Sequence, residues 1–164
     1  MAEMHQTFEA LTSGLEYPMF VVTAAAGDER SGCLVGFATQ CSISPPVLLV
    51  CISKANHTYP VACAATSLVV HYLGNDDVEI ARLFGEHTGD DTDKLSLCSW
   101  HPRPDGTPVL EGCRGWVAGD ILSRTDVGDH VAFTLAVAAA EARDASAWQL
   151  GFGQVKDFNP GHPA

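Results

Sequence analysis

Positive charge is scarce in this chain. Lysine and arginine number 9 against 20 aspartates and glutamates, a formal net charge of −11 over 164 residues. So acidic a surface repels phosphate backbones and anionic headgroups, which argues against nucleic-acid and membrane-surface partners. Any phosphate the protein holds must be captured locally, by backbone N–H groups or a single lysine.

Other absences narrow the function further. There is no Walker A loop and no G-x-G-x-x-G after a strand, so no Rossmann dinucleotide site is signalled. G-x-S-x-G and H-E-x-x-H are also missing. The six cysteines form no C-x-x-C pair and have no accompanying paired-His motif, so no metal site is expected. Cys33, Cys41, Cys51 and Cys63 lie in apolar runs and read as small buried hydrophobes in a reducing compartment. The acidic cluster Glu86, Asp90, Asp91 and Asp93 lacks the glycine and spacing of a calcium loop. The first 18 residues carry neither a basic n-region nor an apolar h-region, so no secretory leader is expected and the expected location is the cytoplasm. The charge-free stretch from Ser31 to Ser53 contains Gln40, several hydroxyl residues and Pro45-Pro46, and reads as buried strands rather than a membrane span.

What is present is globular: 46% of residues are hydrophobic and 18% charged, and the length suits one domain. Met4, Phe8 and Leu11 recur at helical spacing before Gly14, so residues 1–16 read as an N-terminal helical arm. The main domain is expected over 17–156 and a loose tail over 157–164. Tyr17 to Ala26 reads as a strand, with Gly27-Asp28 as a turn. A second strand is expected to run unbroken from Ser31 to Ile43, its Gly32 and Gly36 marking a bulge or a place where backbone meets a ligand. Val47 to Ile52, continuously apolar, is expected to be buried on both faces. A loop and helix follow from Ser53, with Asn56 or Thr58 as cap. Ser67 to Leu73 reads as a strand. The helix opened by Asp76-Asp77 has Val78, Ala81 and Leu83/Phe84 as its stripe and Gly85 as its stop. Glu86 to Gly106 is a candidate lid or dimer arm. Three further strands are expected around Val109, Trp116 to Leu122, and Val131 to Ala140, and residues 146–153 read as a last strand or helical turn. About seven short strands with clustered helices predict a mainly β fold with a few helices, a barrel with appended helices.

Among seven histidines, His71 lies inside an apolar strand and reads as a satisfied core residue. His57 and His130 sit at junctions where a side chain can face a cleft. The segment from Ser31 to Thr58 suits a flat, apolar, phosphorylated cofactor. Gly36 allows close backbone approach, Thr39 and Ser42 add hydroxyls, and the loop from Lys54 to Thr58 offers a lysine, a hydroxyl and a helix start.

Taken in order, five stations resemble the flavin reductase-like, FMN-binding split-barrel family. They are PMFVVTA, GCLVGFATQCSISPPVLLVCIS, KANHTYP, VEIARLFG followed by Asp93-Lys94-Leu95, and VGDH from Val127 to His130. The resemblance implies an FMN-binding split β-barrel and NAD(P)H-dependent reduction of FMN or FAD, with NADH or NADPH as hydride donor. It further implies a homodimer, and a separate oxygenase component as the protein receiving reduced flavin. Val35, Gly36, Phe37, Ala38 and Thr39 would line the isoalloxazine ring. Ser53, Lys54, Ala55, His57 and Thr58 would hold the ribityl chain and phosphate, and His130 would face the nicotinamide as the catalytic residue. The chain departs from the family pattern at Gly36-Phe37-Ala38 (in place of Asn-Ser-Phe), at His71 (in place of Asn), and at Trp148 to Gly153, which lacks the family's basic residues. These departures leave two other readings open: an FMN-binding electron-transfer protein, and a barrel that binds haem through His57, His71 or His130.

Overall fold

The computed structural model describes residues 1–162. Helix α1 spans Ala2–Thr12. Its apolar stripe is left largely uncovered by its own chain, for Met4, Phe8 and Leu11 are 66%, 62% and 70% exposed. Strands β1 (Phe20–Ala26) and β2 (Glu29–Val35) form a hairpin in the register Phe20↔Val35 to Ala26↔Glu29. Its two-residue turn has Gly27 at φ 61 and no positive φ at Asp28, the type II′ pattern that matches strand twist.

The strand expected from Ser31 to Ile43 is broken. β2 ends at Val35, Gly36-Phe37 leave the ladder, and β3 begins at Ala38 and ends at Ser42. β4 is Val47–Ser53, β5 Ser67–Tyr72, β8 Gly115–Asp126 and β9 His130–Ala142. Together they form a seven-stranded sheet in the order β2-β1-β5-β8-β9-β4-β3, with antiparallel neighbours throughout. β2 and β3 are therefore opposite edges joined by two residues. A link that short forces the sheet to curl until its edges meet, while the ladder does not close across them. The result is a split barrel; one residue beyond the Ala38↔Val50 pair, the Cys51 N–H donates to the Phe37 carbonyl at 2.8 Å and holds Phe37 beside β4.

The interior is filled by alternate residues: Phe20, Val22 and Ala24 from β1, Leu68 and Val70 from β5, and Val131, Phe133 and Leu135 from β9. Helix α2 (Thr58–Ala64) adds Val61 and Ala62 to this core. β4 is not buried on both faces as expected. Leu48, Val50 and Ile52 point inward, while Val47, Leu49 and Cys51 are half-buried, because no layer covers the outer side of this near-edge strand. Cys41 is likewise exposed on edge strand β3, and Cys51 and Cys63 are half-buried.

A second core lies outside the barrel, where α3 (Val78–Glu86) sets Ala81 and Phe84 against Val21, Leu95 and Leu110. A Cβ at Gly32 would stand 2.8 Å from Phe84 Cε1, so this glycine admits a helix side chain, and the ladder runs through it without a bulge. Gly85 does not stop α3, which runs to Glu86; there a Cβ would meet Leu34 Cδ2 at 2.9 Å. Residues 86–106 are tethered rather than free. Lys94 and Leu95 are buried, and β6 (Trp100–Pro102) pairs with β7 (Pro108–Leu110). Residues 157–162 are also docked: the Arg82 guanidinium sits 4.5 Å from the Phe158 ring centroid, and Gly161 N–H donates to the Gly85 carbonyl. The last two residues of the expected tail, 163–164, lie outside the described residues. No helix is long and apolar enough to cross a membrane among the described residues.

Candidate functional site

The site forms where the ladder fails. The Tyr17 ring lies on Gly36 so closely that a Cβ there would stand 2.5 Å from Tyr17 Cε2. The chain then turns Phe37 outward, 57% exposed. Phe37 is flanked by Tyr17 at 6.3 Å and His130 at 5.4 Å between ring centroids, and Tyr17 stacks on Phe152 at 4.7 Å. His130 reaches this cluster because the Val127-Gly128-Asp129 turn starts β9 opposite Ser53 at the end of β4.

Two hollows meet at Phe37. An inner cavity of about 180 Å³ is lined by Val35, Gly36, Phe37, Ser53, Asn56 and His130, among others. An outer groove of about 680 Å³ includes Phe37, Ala38, Thr39, Leu49, Cys51 and the α1 residue Phe8. Tyr17, Gly36, Phe37, Cys51 and Phe152 border both. The walls are mainly apolar and aromatic, with Ser53, Asn56, His130 and His162 among the polar points of the inner cavity and Glu9, Thr12, Ser13 and Thr39 of the outer groove. Asp129 Oδ1 holds His130 Nδ1 at 2.7 Å, and that bond keeps the Asp129 carboxyl below its ordinary pKa.

The residues expected to hold a phosphate do not converge. Lys54 Nζ is paired with Asp126 Oδ2 at 2.6 Å, and its backbone N–H donates to the Asp129 carbonyl. These bonds tie the loop to the β8–β9 turn, and the Lys54 bond lowers the Asp126 pKa. Ala55 N–H donates to Ser53 Oγ at 3.2 Å. Asn56 Oδ1 accepts from Thr58 N–H at 2.9 Å and so caps α2. Thr58 is fully buried, sharing a 2.8 Å hydroxyl contact with Ser31. Lys54, Ala55 and Thr58 line neither hollow. His57 Nδ1 contacts Asp90 Oδ1 at 2.6 Å, depressing the Asp90 pKa, and borders a third cavity of about 170 Å³ with Arg30, Ser31 and Lys94.

Several site residues escaped sequence reasoning. Tyr17 was legible only as the start of a strand, Asn56 only as a cap, and Lys94 only as part of Asp-Lys-Leu. Phe152 and His162 carried no signal, since they arrive from the C-terminal end; Asn56 Nδ2 lies 2.6 Å from His162 Nε2. His71 is a satisfied core residue. Its Nδ1–H donates to the Val21 carbonyl at 3.0 Å and its Nε2 accepts the Leu110 N–H at 2.9 Å. Burial pushes its pKa down to about 4. With both nitrogens committed it has no lone pair for a haem iron. Burial also pushes the Cys33 thiol up to about 11, which leaves it an inert neighbour of the inner cavity. Among the described residues, no cluster of three His, Cys, Asp or Glu side chains is placed to hold a metal ion.

Comparison with known proteins places this arrangement. The chain is 30% identical over 130 residues to an FMN reductase (NADH) of Methylorubrum extorquens, covering 79% of this chain and 63% of the relative. It is 26% identical over 164 residues to the reductase component of 4-hydroxyphenylacetate 3-monooxygenase of Klebsiella oxytoca, covering 98% and 92%. Several curated relatives are longer, and the chain spans 44% of a probable flavin reductase of Rhizobium meliloti. Among solved structures, a flavin reductase domain protein of Arthrobacter sp. FB24 superposes with a TM-score of 0.82 at 18% identity, covering 98% of this chain and 96% of that one. The family model described as a flavin reductase-like domain matches residues 12–156, and the chain belongs to that family.

Proposed function

We propose that the protein is an NAD(P)H-dependent flavin oxidoreductase that reduces FMN or FAD. The observation that carries this reading is the aromatic seam, where Gly36 and Phe37 leave the sheet and meet Tyr17, Phe152 and His130 around two adjoining hollows. These residues fit an isoalloxazine ring. Val35 to Thr39, with Leu49 and Cys51, supply apolar walls and a free strand edge, and Ser53 and Asn56 supply polar contacts. When bound, a flavin supplies the two-electron acceptor for hydride from NADH or NADPH.

The chain's own part is positioning. The Asp129 carboxylate fixes the His130 ring through Nδ1, and His130 in turn borders the face where a nicotinamide would lie against the seam. Phe37 keeps water from one side of the ring slot. Lys54 and Thr58 secure the loop that presents His57. In this reading residues 1–16 form an arm, 17–156 the barrel domain and 157–164 a tail. The uncovered α1 stripe supports a homodimer, and the kinship with monooxygenase reductase components supports an oxygenase partner in the cytoplasm.

The test is direct. Purified protein should oxidise NADH or NADPH only when FMN or FAD is added. His130→Asn should lower turnover at saturating flavin by about tenfold or more. No turnover with either nucleotide and either flavin refutes the proposal.

A further inference from the structure

The inner cavity takes part of its wall from outside the barrel domain. Its lining includes His162, which lies beyond residue 156, the last that the family model matches. The segment that carries His162 there is fastened at three points to the end of α3. The Arg82 guanidinium sits 4.5 Å from the Phe158 ring centroid, the Asn159 N–H donates to Glu86 Oε1 at 3.2 Å, and the Gly161 N–H donates to the Gly85 carbonyl at 3.2 Å. At Gly161 the chain lies close on three sides. A Cβ there would stand 2.7 Å from the His87 carbonyl carbon, 2.8 Å from the Thr88 nitrogen and 3.0 Å from the Glu86 carbonyl oxygen. All three are backbone atoms, which cannot move aside as a side chain can, so this depth is open to glycine alone.

The imidazole placed in this way engages a polar point of the cavity. Asn56 is 8% exposed. Its Oδ1 accepts the Thr58 N–H at 2.9 Å, which fixes the orientation of the amide and leaves Nδ2 to donate to His162 Nε2 at 2.6 Å. One end of the amide therefore serves α2 and the other serves the tail. A carbonyl on a ligand can take that Nδ2 proton only by displacing the imidazole. The tail is fit to be displaced, since no residue from 157 to 162 is buried.

We propose that the C-terminal tail is an autoinhibitory latch, in which His162 competes with the flavin ring for Asn56 and flavin enters the inner cavity by displacing it. The latch rests on the flavin reading above. Apparent affinity falls with the fraction of molecules whose latch is open, so the tail sets a threshold of flavin concentration for turnover and leaves the hydride step itself unaltered.

The test uses the full chain and two variants. His162→Ala removes the imidazole that meets Asn56. Gly161→Ala keeps the imidazole but drives a methyl into the backbone of residues 86–88, which lifts the tail. Dissociation constants for FMN and for riboflavin, which has the same ring without phosphate, are measured by fluorescence quenching, with kcat and the KM for FMN from NADH oxidation. Both variants should bind the two flavins tighter by the same factor, roughly 2- to 10-fold, the range of one hydrogen bond that no longer has to be broken on entry. The KM for FMN should fall with them and kcat should stay where it is. On wild type, riboflavin should speed amide hydrogen exchange in residues 157–162, as read by mass spectrometry. Slower exchange there, or weaker flavin binding by the variants, overturns the latch, because the tail would then close over the ligand. A change for FMN without one for riboflavin overturns it too, since the tail would then answer to the phosphate. Equal flavin affinity in all three proteins sinks the latch alone. If none of the three binds flavin, the flavin reading fails and the latch fails with it. Should Gly161→Ala not fold, His162→Ala carries the same expectation.

Discussion

His71 makes the stability of this protein depend on pH in a way that can be isolated. The imidazole is fully buried and neutral, and burial lowers its pKa from 6.5 to about 4. Between these values the unfolded chain binds a proton that the folded chain does not, so stability rises with pH across the window. The contribution is fully present above about pH 6.5 and is lost as pH falls toward 4. Integrated over that window it amounts to about 3 kcal/mol, a sizeable part of the roughly 5–15 kcal/mol that stabilises a typical domain. The perturbation is His71→Gln, which removes the titration. At about pH 8 it should cost roughly 1–3 kcal/mol, because the Val21 carbonyl or the Leu110 N–H is left without a partner. Urea unfolding of both proteins from about pH 8 to about pH 4.5 is the assay. Groups common to both cancel in the difference, so the stability difference should move by about 2–3 kcal/mol in the variant's favour as pH falls, closing the gap or reversing it. Parallel curves would refute the reasoning, since His71 would then titrate alike in folded and unfolded chains.

Other substitutions test the site. Gly36→Val would drive its side chain into Tyr17; it should cost roughly 1–3 kcal/mol in thermal unfolding and abolish FMN quenching, and wild-type affinity would remove Gly36 from the site. Lys54→Ala breaks a pair whose side chains are 34% and 70% exposed. It should leave the urea midpoint almost unchanged, and a clear loss would show that the loop anchor matters more than screening allows. Thr58→Ala strands the buried Ser31 hydroxyl, and calorimetry should register a loss of about 1–3 kcal/mol.

Local chemistry made part of this molecule legible before folding. Gly27-Asp28 announced the first hairpin because a glycine takes the positive φ that the first turn position requires. The run from Ser67 to Leu73 announced a central strand, and His71 within it a buried, bonded histidine, because an apolar run has to be covered. Of the Ser31-to-Thr58 segment, Val35 to Phe37 and Ser53 border the inner cavity, whereas Lys54 and Thr58 are engaged elsewhere in the fold. The break at Gly36-Phe37 was not recognisable, since nothing local distinguishes a strand that continues from one that jumps to the far edge of the same sheet. β4 was misjudged for a related reason: its apolar run is the same whether one face or two find a partner, and its place beside an edge strand decides.

The sequence by itself determined most of the strands, the first hairpin turn, and the acidity that disfavours phosphate-backbone partners. Only the tertiary structure decided which charges find a partner. Lys54 stood out in the chain because its neighbours in sequence are uncharged, yet folding brings Asp126 to it across 72 positions. Lys94 looked ordinary because Asp93 precedes it, yet folding buries it with a carbonyl and an aromatic ring and gives it no carboxylate. Electrostatic pairing depends on distance through space and on burial, and neither is a property of neighbours along the chain.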